Sequence, residues 1–299
     1  MKSHINETHF ELYSRNYSEP DRVKGLWFVI WMCFLEYFLL WLEKKPLPHP
    51  KENILSVCHG IFYYLIKVWI RSTEYFAYIW LWENYSLFPM WFSESWSSFF
   101  GTVIFVDFCY YWFHRFSHEV MLFWAIHQVH HLSLDLTVSV GIRHSPIQSL
   151  FSWVFYLPLA IIGLPVSHLK AHLHVNHMYQ IWVHTEAVDK IGPLEWVMNT
   201  PSHHRVHHGI IERVIDKNYG GIFIIWDRLF GTFTPEENRD DNIYGVLNQT
   251  QSWNIFSQQI ILPPTCNRKS KTMSNGLEFF NTFWKGPSWS LDILALGGN

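Results

Sequence analysis

Eight of the chain's 19 histidines fall into three tight clusters, and any fold for these 299 residues has to account for them. His114-Arg-Phe-Ser-His118 is an HxxxH, and His127-Gln-Val-His130-His131 and His204-Arg-Val-His207-His208 are both HxxHH. Histidine content alone would yield about 0.08 HxxHH motifs in such a chain. Two are present, so the pattern is not an accident of composition. Residues three and four apart share a face of an α-helix. Each cluster therefore turns its imidazoles to one side, and neighbouring helices can bring all three sets to one place.

Neutral imidazole is a good ligand for iron, copper and zinc. Eight nitrogens are too many for one tetrahedral zinc. They suit two metal ions with positions left open for oxygen, and iron is the expected metal because open-sited iron activates O2. Bis-histidine haem ligation would use only some of them and leave the doublets unexplained. His118-Glu119-Val-Met-Leu breaks the HExxH pattern of zinc peptidases. Glu119 is either a carboxylate that holds an imidazole N–H or a surface acid. His184, seven residues after His177 on the same helical face, is a candidate ninth ligand. His168, His172, His174 and His177 are expected along an interface or polar seam. His144, beside Arg143, is expected at the surface, and His4, His9, His49 and His59 carry no assigned role.

The rest of the chain is apolar and aromatic. Charged residues make up 16%, against about 25% in a soluble domain. Gly25 to Leu42 has Glu36 as its one charge and is long enough to span a bilayer with little tilt. Pro46, Pro48 and Pro50 make a non-helical connector. Ile54 to Trp82, interrupted by Lys67, Arg71 and Glu74, reads as a span plus an interfacial helix. Phe99 to Phe113 is a further span, with Asp107 inside it as either a functional or a hydrogen-bonded structural acid. Pro146–Pro165 and Val166–His184 read as a helical hairpin, and Glu186 to Gly220 as a polar loop. Trp226 to Gly231 either covers the site or anchors it at the interface. Basic residues on the two sides of the first span are too evenly matched to set orientation.

A net charge of -3 with no basic stripe excludes nucleic acid as a partner. Cys33, Cys58, Cys109 and Cys266 include no CxxC, so neither a disulfide framework nor a cysteine zinc site is signalled. Asn6, Asn16, Asn84 and Asn248 open short glycosylation sequons that chance readily supplies.

The three boxes on an apolar chain resemble the fatty acid hydroxylase/sterol desaturase superfamily of membrane di-iron oxygenases. The stretches WENYSLF, VDFCYYWFHRFSHE, HQVHH, YQIWVHTEAVDKIGPLEWVMNTPSHHRVHHG and DKNYGGIFIIWDRLFGTF are similar to its branch that cleaves alkylglycerols. The resemblance implies an all-α, polytopic membrane helical bundle of the endoplasmic reticulum with a His-rich di-iron site at the cytosolic face. It implies a monooxygenase that uses O2, two Fe(2+) ions and tetrahydrobiopterin to hydroxylate the ether-bearing carbon of an alkylglycerol drawn from the lipid bilayer. The resulting hemiacetal falls apart to a fatty aldehyde and a glycerol derivative. The family's metal-binding histidines fall on His114, His118, His127, His130, His131, His204, His207 and His208, and its acid on Glu119.

The expected organisation is a polar segment 1–24, membrane helices 25–97, a catalytic core 98–235 and a C-terminal segment 236–299 shortened relative to the family. Gln is expected where this chain has His144. A sterol or fatty-acyl hydroxylase or desaturase of the same superfamily, and a truncated non-catalytic membrane protein, are the competing readings.

Overall fold

The computed structural model of the protein describes residues 19–92, 95–239, 242–247, 252–261 and 284–286. The start of the polar N-terminal segment, with His4, His9, Asn6 and Asn16, lies outside them, as do Asn248, Cys266 and most of the C-terminal segment. Among the described residues the chain is helical and has no strand; two isolated bridges pair Met198 with Phe223 and Gly209 with Tyr244. Two compact units divide at Leu47 and Pro48. Cys33, Cys58 and Cys109 are free thiols.

The first unit holds helix α1, Glu19–Leu42, which starts upstream of the expected span. Its C-terminus closes around Lys44 in left-handed backbone (φ 56°), where the Lys45 amide donates to the Leu40 carbonyl at 2.9 Å. Its apolar stretch Trp27–Leu42 is shorter than a full span.

In the second unit, Pro50 opens helix α2, Pro50–Tyr85, rather than prolonging the connector. A proline in the first helical turn gives up an N–H that has no partner there anyway. One 36-residue helix replaces the expected span plus interfacial helix. Its basic side chains lie along it: Lys67 donates to the Tyr63 hydroxyl at 2.6 Å and Arg71 to that of Tyr75 at 3.3 Å. Among the described residues α2 alone is long and apolar enough to cross a membrane. Ile54, Ile61, Leu65, Trp69, Phe76 and Trp80 form an exposed apolar stripe along it.

The expected hairpin is one continuous helix in its second arm only. Pro158 has no amide to donate and crowds the carbonyl four residues back. The first arm accordingly breaks into 3-10 turns and two short helices, α5 (Ser149–Ser152) and α6 (Leu157–Ile162). Gly163 (φ 112°) then turns the chain into α7, Val166–Val183. A side chain at Gly163 would meet the Phe88 carbonyl carbon at 2.8 Å, because this turn is bonded to the end of α2. There the Leu87 amide donates to Ile161, Tyr78 to Leu164 and Trp82 to Gly163. Tyr78, Val106, Cys109, Tyr156, Leu159 and Leu164 form the apolar core beneath.

Helices α3 (Trp96–Glu119) and α4 (Met121–His131) are joined through the extended residue Val120, which sets boxes one and two side by side. Box three, expected in a loop, lies instead on a helix, α8 (Pro201–His208), opened by Pro201 at its first position. Helix α9, Ile225–Phe230, follows.

Asp107, in the middle of α3, settles as a structural acid. Its two oxygens accept from the Ile222 amide (2.7 Å), the Phe223 amide (3.1 Å), the Trp226 indole (2.9 Å) and the Asn176 amide group (3.2 Å). Gly221 permits this approach, since a Cβ there would sit 2.5 Å from the carboxylate. The segment Trp226–Gly231 is thereby tied to α3 rather than free to cover the site. Asp107→Asn turns an NH2 toward two of these buried donors. It is expected to cost about 2–4 kcal/mol, read as a lower unfolding temperature in detergent with iron content measured alongside.

Candidate metal centre

The boxes converge, and they do so crosswise. His114, His118, His127, His131 and His207 form one buried group, and His130, His184, His204 and His208 a second; within each, the ligand atoms lie within 4.8 Å of one another. In a helix i and i+4 nearly align, while i+3 points about 100° from i+4. In box two the i/i+4 pair His127 and His131 joins the first group, and His130 the second. In box three the i/i+4 pair His204 and His208 joins the second group, and His207 the first. The expectation that His127, His130 and His131 all point together therefore gives way to a division between two groups. His184 caps the C-terminus of α7 and stands in the middle of the second group.

Five of the nine rings are oriented from behind by a hydrogen bond at Nδ1. The Nδ1–H of His114 donates to the Tyr219 carbonyl (2.9 Å) and that of His207 to Lys217 (3.0 Å). His130 donates to the Arg143 carbonyl (3.2 Å), His184 to Gln180 (2.5 Å) and His127 to Gln148 Oε1 (3.1 Å). Acceptors behind Nδ1 fix the proton there and leave the Nε2 lone pair facing inward. The inward Nε2 atoms of His118, His127, His131 and His207 are buried with no hydrogen-bond partner.

In the second group the His184 Nε2 lies 3.0 Å from that of His130, 2.8 Å from His204 and 3.1 Å from His208. His130 and His184 hold their protons outward, so lone pairs face each other at contact distance, which is repulsive without a cation between them. Nitrogens about 2.1 Å from a shared ion sit about 3 Å apart at right angles. Both groups therefore fit a metal ion.

The surroundings keep these imidazoles neutral. Burial removes solvent from the charged form, and neighbouring rings oppose a second charge. His127 is pushed down to about 4 by burial, and His207 to about 3 by burial with further lowering from His127 and His184. His118, His130, His131, His204 and His208 lie well below their ordinary value for the same reasons. Neutral imidazole is the metal-binding form.

Not every expected residue sits at the centre. Glu119 is exposed and ion-paired with Arg115 at 2.8 Å. The carboxylate that approaches a box imidazole is that of Asp216, 3.5 Å from His118 Nδ1. His144, expected at the surface, is half-buried and stacks on His130 with centroids 4.9 Å apart and planes 15° apart. Its neighbour Arg143 is fully buried because α2 supplies Glu52, 3.1 Å away. His59 is buried too, donating to Gln258 at 2.7 Å and accepting from Gln259 at 3.1 Å. His168 and His172 meet Thr102 at the seam between α3 and α7.

The residues that orient the rings were missed in the sequence. Gln148 could have been found only as a polar side chain at the head of an apolar run. Gln148→Leu removes the acceptor behind His127 and is expected to weaken iron binding by about 10–100-fold, read by competition with a chelator of known affinity.

Comparison with known proteins follows the same ground. The fatty acid hydroxylase family profile matches residues 99–232. The chain is 42% identical over 275 residues to an alkylglycerol monooxygenase of Danio rerio, covering 90% of this chain and 60% of that protein. With the alkylglycerol monooxygenase of Xenopus tropicalis it shares 39% over 287 residues, covering 95% and 60%. With that of Homo sapiens it shares 39% over 280 residues, covering 93% and 62%. The chain thus spans about three-fifths of the length of these relatives. No solved structure matches it significantly.

Proposed function

We propose that this chain, which matches the fatty acid hydroxylase profile through residues 99–232, is a member of that family and a membrane di-iron monooxygenase that cleaves the ether bond of alkylglycerols. The observation that carries this reading is the pair of buried histidine groups with inward lone pairs. The named relatives supply the substrate class.

Iron held by the two groups would supply the O2 chemistry that a C–H bond beside an ether oxygen requires. The protein's own part is mechanical and electrostatic. The carbonyls of Tyr219, Lys217, Arg143 and Gln180 hold the imidazoles in one tautomer, aimed inward. Trp124 packs against His118 and His131, with centroids 5.1 and 5.5 Å away, and excludes water from one side. Burial makes the Asp216 carboxyl harder to ionise, the nearby charge of Glu119 adds to that effect, and Glu119 acts in this way rather than by contact with a box imidazole. The hydroxylated carbon then expels the glycerol oxygen, giving a fatty aldehyde and a glycerol derivative. The electrons this chemistry needs would come from tetrahydrobiopterin. The apolar stripe of α2 faces lipid in a multi-pass arrangement in the endoplasmic reticulum membrane, with residues 98–235 as the catalytic core at its cytosolic face.

The test is ether cleavage by membranes expressing this chain, supplied with a fluorescent alkylglycerol with and without tetrahydrobiopterin. Pterin-dependent aldehyde that disappears in His207→Ala is the expected result. Product from a sterol or acyl substrate instead would move the chain to a sibling activity, and no product from an iron-loaded chain would remove the enzymatic reading.

A further inference from the structure

The loop that follows box three, residues 216–219, stands behind the first histidine group. The Tyr219 carbonyl accepts from His114 Nδ1 at 2.9 Å and the Lys217 carbonyl from His207 Nδ1 at 3.0 Å. The Asp216 carboxylate lies 3.5 Å from His118 Nδ1. One short segment therefore backs three of the five histidines of that group, drawn from two different helices. The second group is backed from elsewhere, His130 by the Arg143 carbonyl and His184 by that of Gln180.

Such a loop has to be held. Asp216 (φ 58°) and Asn218 (φ 57°) both take left-handed backbone, which is unfavourable for a residue with a side chain. Two such residues so close together persist only where their surroundings fix them. Asp227 fixes the exit of the loop, its two oxygens accepting from the Tyr219 and Gly220 amides at 2.7 Å each.

Asn218 fixes the middle. It is fully buried. Its Nδ2 donates to the carbonyls of Thr234 (2.7 Å) and His203 (3.1 Å), and its Oδ1 accepts from the Thr234 amide (2.9 Å). Its own amide donates to the Thr232 carbonyl at 3.0 Å. The carboxamide thus pairs with both backbone groups of Thr234, as a neighbouring strand would. It also reaches α8 one turn before His207. An aspartate has no N–H for the two carbonyls, and a glutamine is one methylene longer, so the position calls for asparagine.

We propose that Asn218 is a positioning residue of the first metal group: it locks residues 216–219 behind His114, His118 and His207, and so sets how tightly that group, and not the second, holds its ion. The assignment rests on the two-iron reading proposed above. Asn218 is not itself a ligand; it acts through the carbonyls and the carboxylate on either side of it.

Binding of ferrous iron to the purified, metal-free chain in detergent under argon, measured by competition with a chelator of known affinity, tests this without turnover. The native chain is expected to show two binding constants. Asn218→Gly leaves the left-handed backbone accessible and removes the three side-chain hydrogen bonds. It is expected to weaken one constant about 10–100-fold and to leave the other unchanged. The same loss in a His184→Ala background, where the first group holds the remaining ion, identifies the weakened site. Tyr78→Phe removes a buried hydrogen bond to Leu164 in the C-terminal half of α2. It is the control for destabilisation, expected to lower the unfolding temperature and change neither constant. Asp216→Gly, at a half-buried position, is expected to weaken the same ion about 10-fold and decides the matter if Asn218→Gly does not fold. Both constants falling together in Asn218→Gly would make Asn218 a residue of the fold alone. Unchanged constants in Asn218→Gly, or in Asp216→Gly where that variant decides, overturn the assignment and leave the two-iron reading standing. A native chain that binds fewer than two ions removes the two-iron reading itself.

Discussion

Replacing His184 with alanine is expected to lower the iron content from about two ions per chain to about one, and to reduce ether cleavage at least about 100-fold. The asymmetry between the groups is the reason. The first has five histidines and the second four. His184 makes three of the Nε2 contacts in the second, at 2.8 to 3.1 Å. Without it, His130, His204 and His208 remain, with no side chain at the centre to close the set. Box two and box three stay intact, so the first group keeps its ligands and its ion. His203→Ala is the control. It removes another buried histidine from the same region, one that belongs to neither group, and is expected to retain two ions. Metal analysis of the two purified variants decides the matter. Two ions retained in His184→Ala would place His184 outside the coordination set.

The box histidines were legible because their signal is local. A helical repeat places residues three and four apart on related faces, and HxxHH states that repeat in five letters. The crosswise division between two groups was implicit in the same geometry, since i+3 and i+4 diverge by about 100°. The orienting groups were mostly not legible, because all but Gln180, four residues before His184 on α7, come from other segments of the chain. The carbonyls of Lys217 and Tyr219 reach box three and box one from a loop in which Asp216 (φ 58°) and Asn218 (φ 57°) adopt left-handed backbone. Asp and Asn enter that region more readily than other residues with a side chain, but sequence does not say where the loop then lies. His144 looked like a surface residue because it follows an arginine. Its actual place depends on Glu52, which accepts from Arg143 across 91 positions of sequence. The helical class followed from the same local patterns. The number of spans did not: Pro158 lies in a stretch that breaks into short turns and helices, and α3, although unbroken over 24 residues, is not apolar enough to pass as a span.

Arg205→Ala is expected to destabilise the fold by about 3–5 kcal/mol, a fall of about 10 °C in unfolding temperature for a chain of this size. Arg205 lies within box three and faces away from the metal groups. It is fully buried and donates to both oxygens of Glu236, at 2.7 and 2.8 Å. It also donates to the carbonyls of Val188 (2.7 Å) and Thr185 (3.2 Å). Truncation leaves the Glu236 carboxylate buried with Asn242 and no cation. The uncompensated charge, rather than the lost contact, sets the size of the effect. Removing both charges together should therefore recover most of the loss, because a matched apolar pair avoids desolvating either ion. Arg205→Met with Glu236→Leu is expected to unfold within a few degrees of the native chain. Iron content should behave differently. Thr185 follows His184 directly, so Arg205 fixes the end of α7 against box three, and the apolar pair has no hydrogen bonds with which to do so. The double variant is expected to be stable yet to hold the second ion about 10–100-fold more weakly. Recovery of both stability and iron affinity would mean that packing alone aligns His184 with His204 and His208, and that Arg205 serves only the fold.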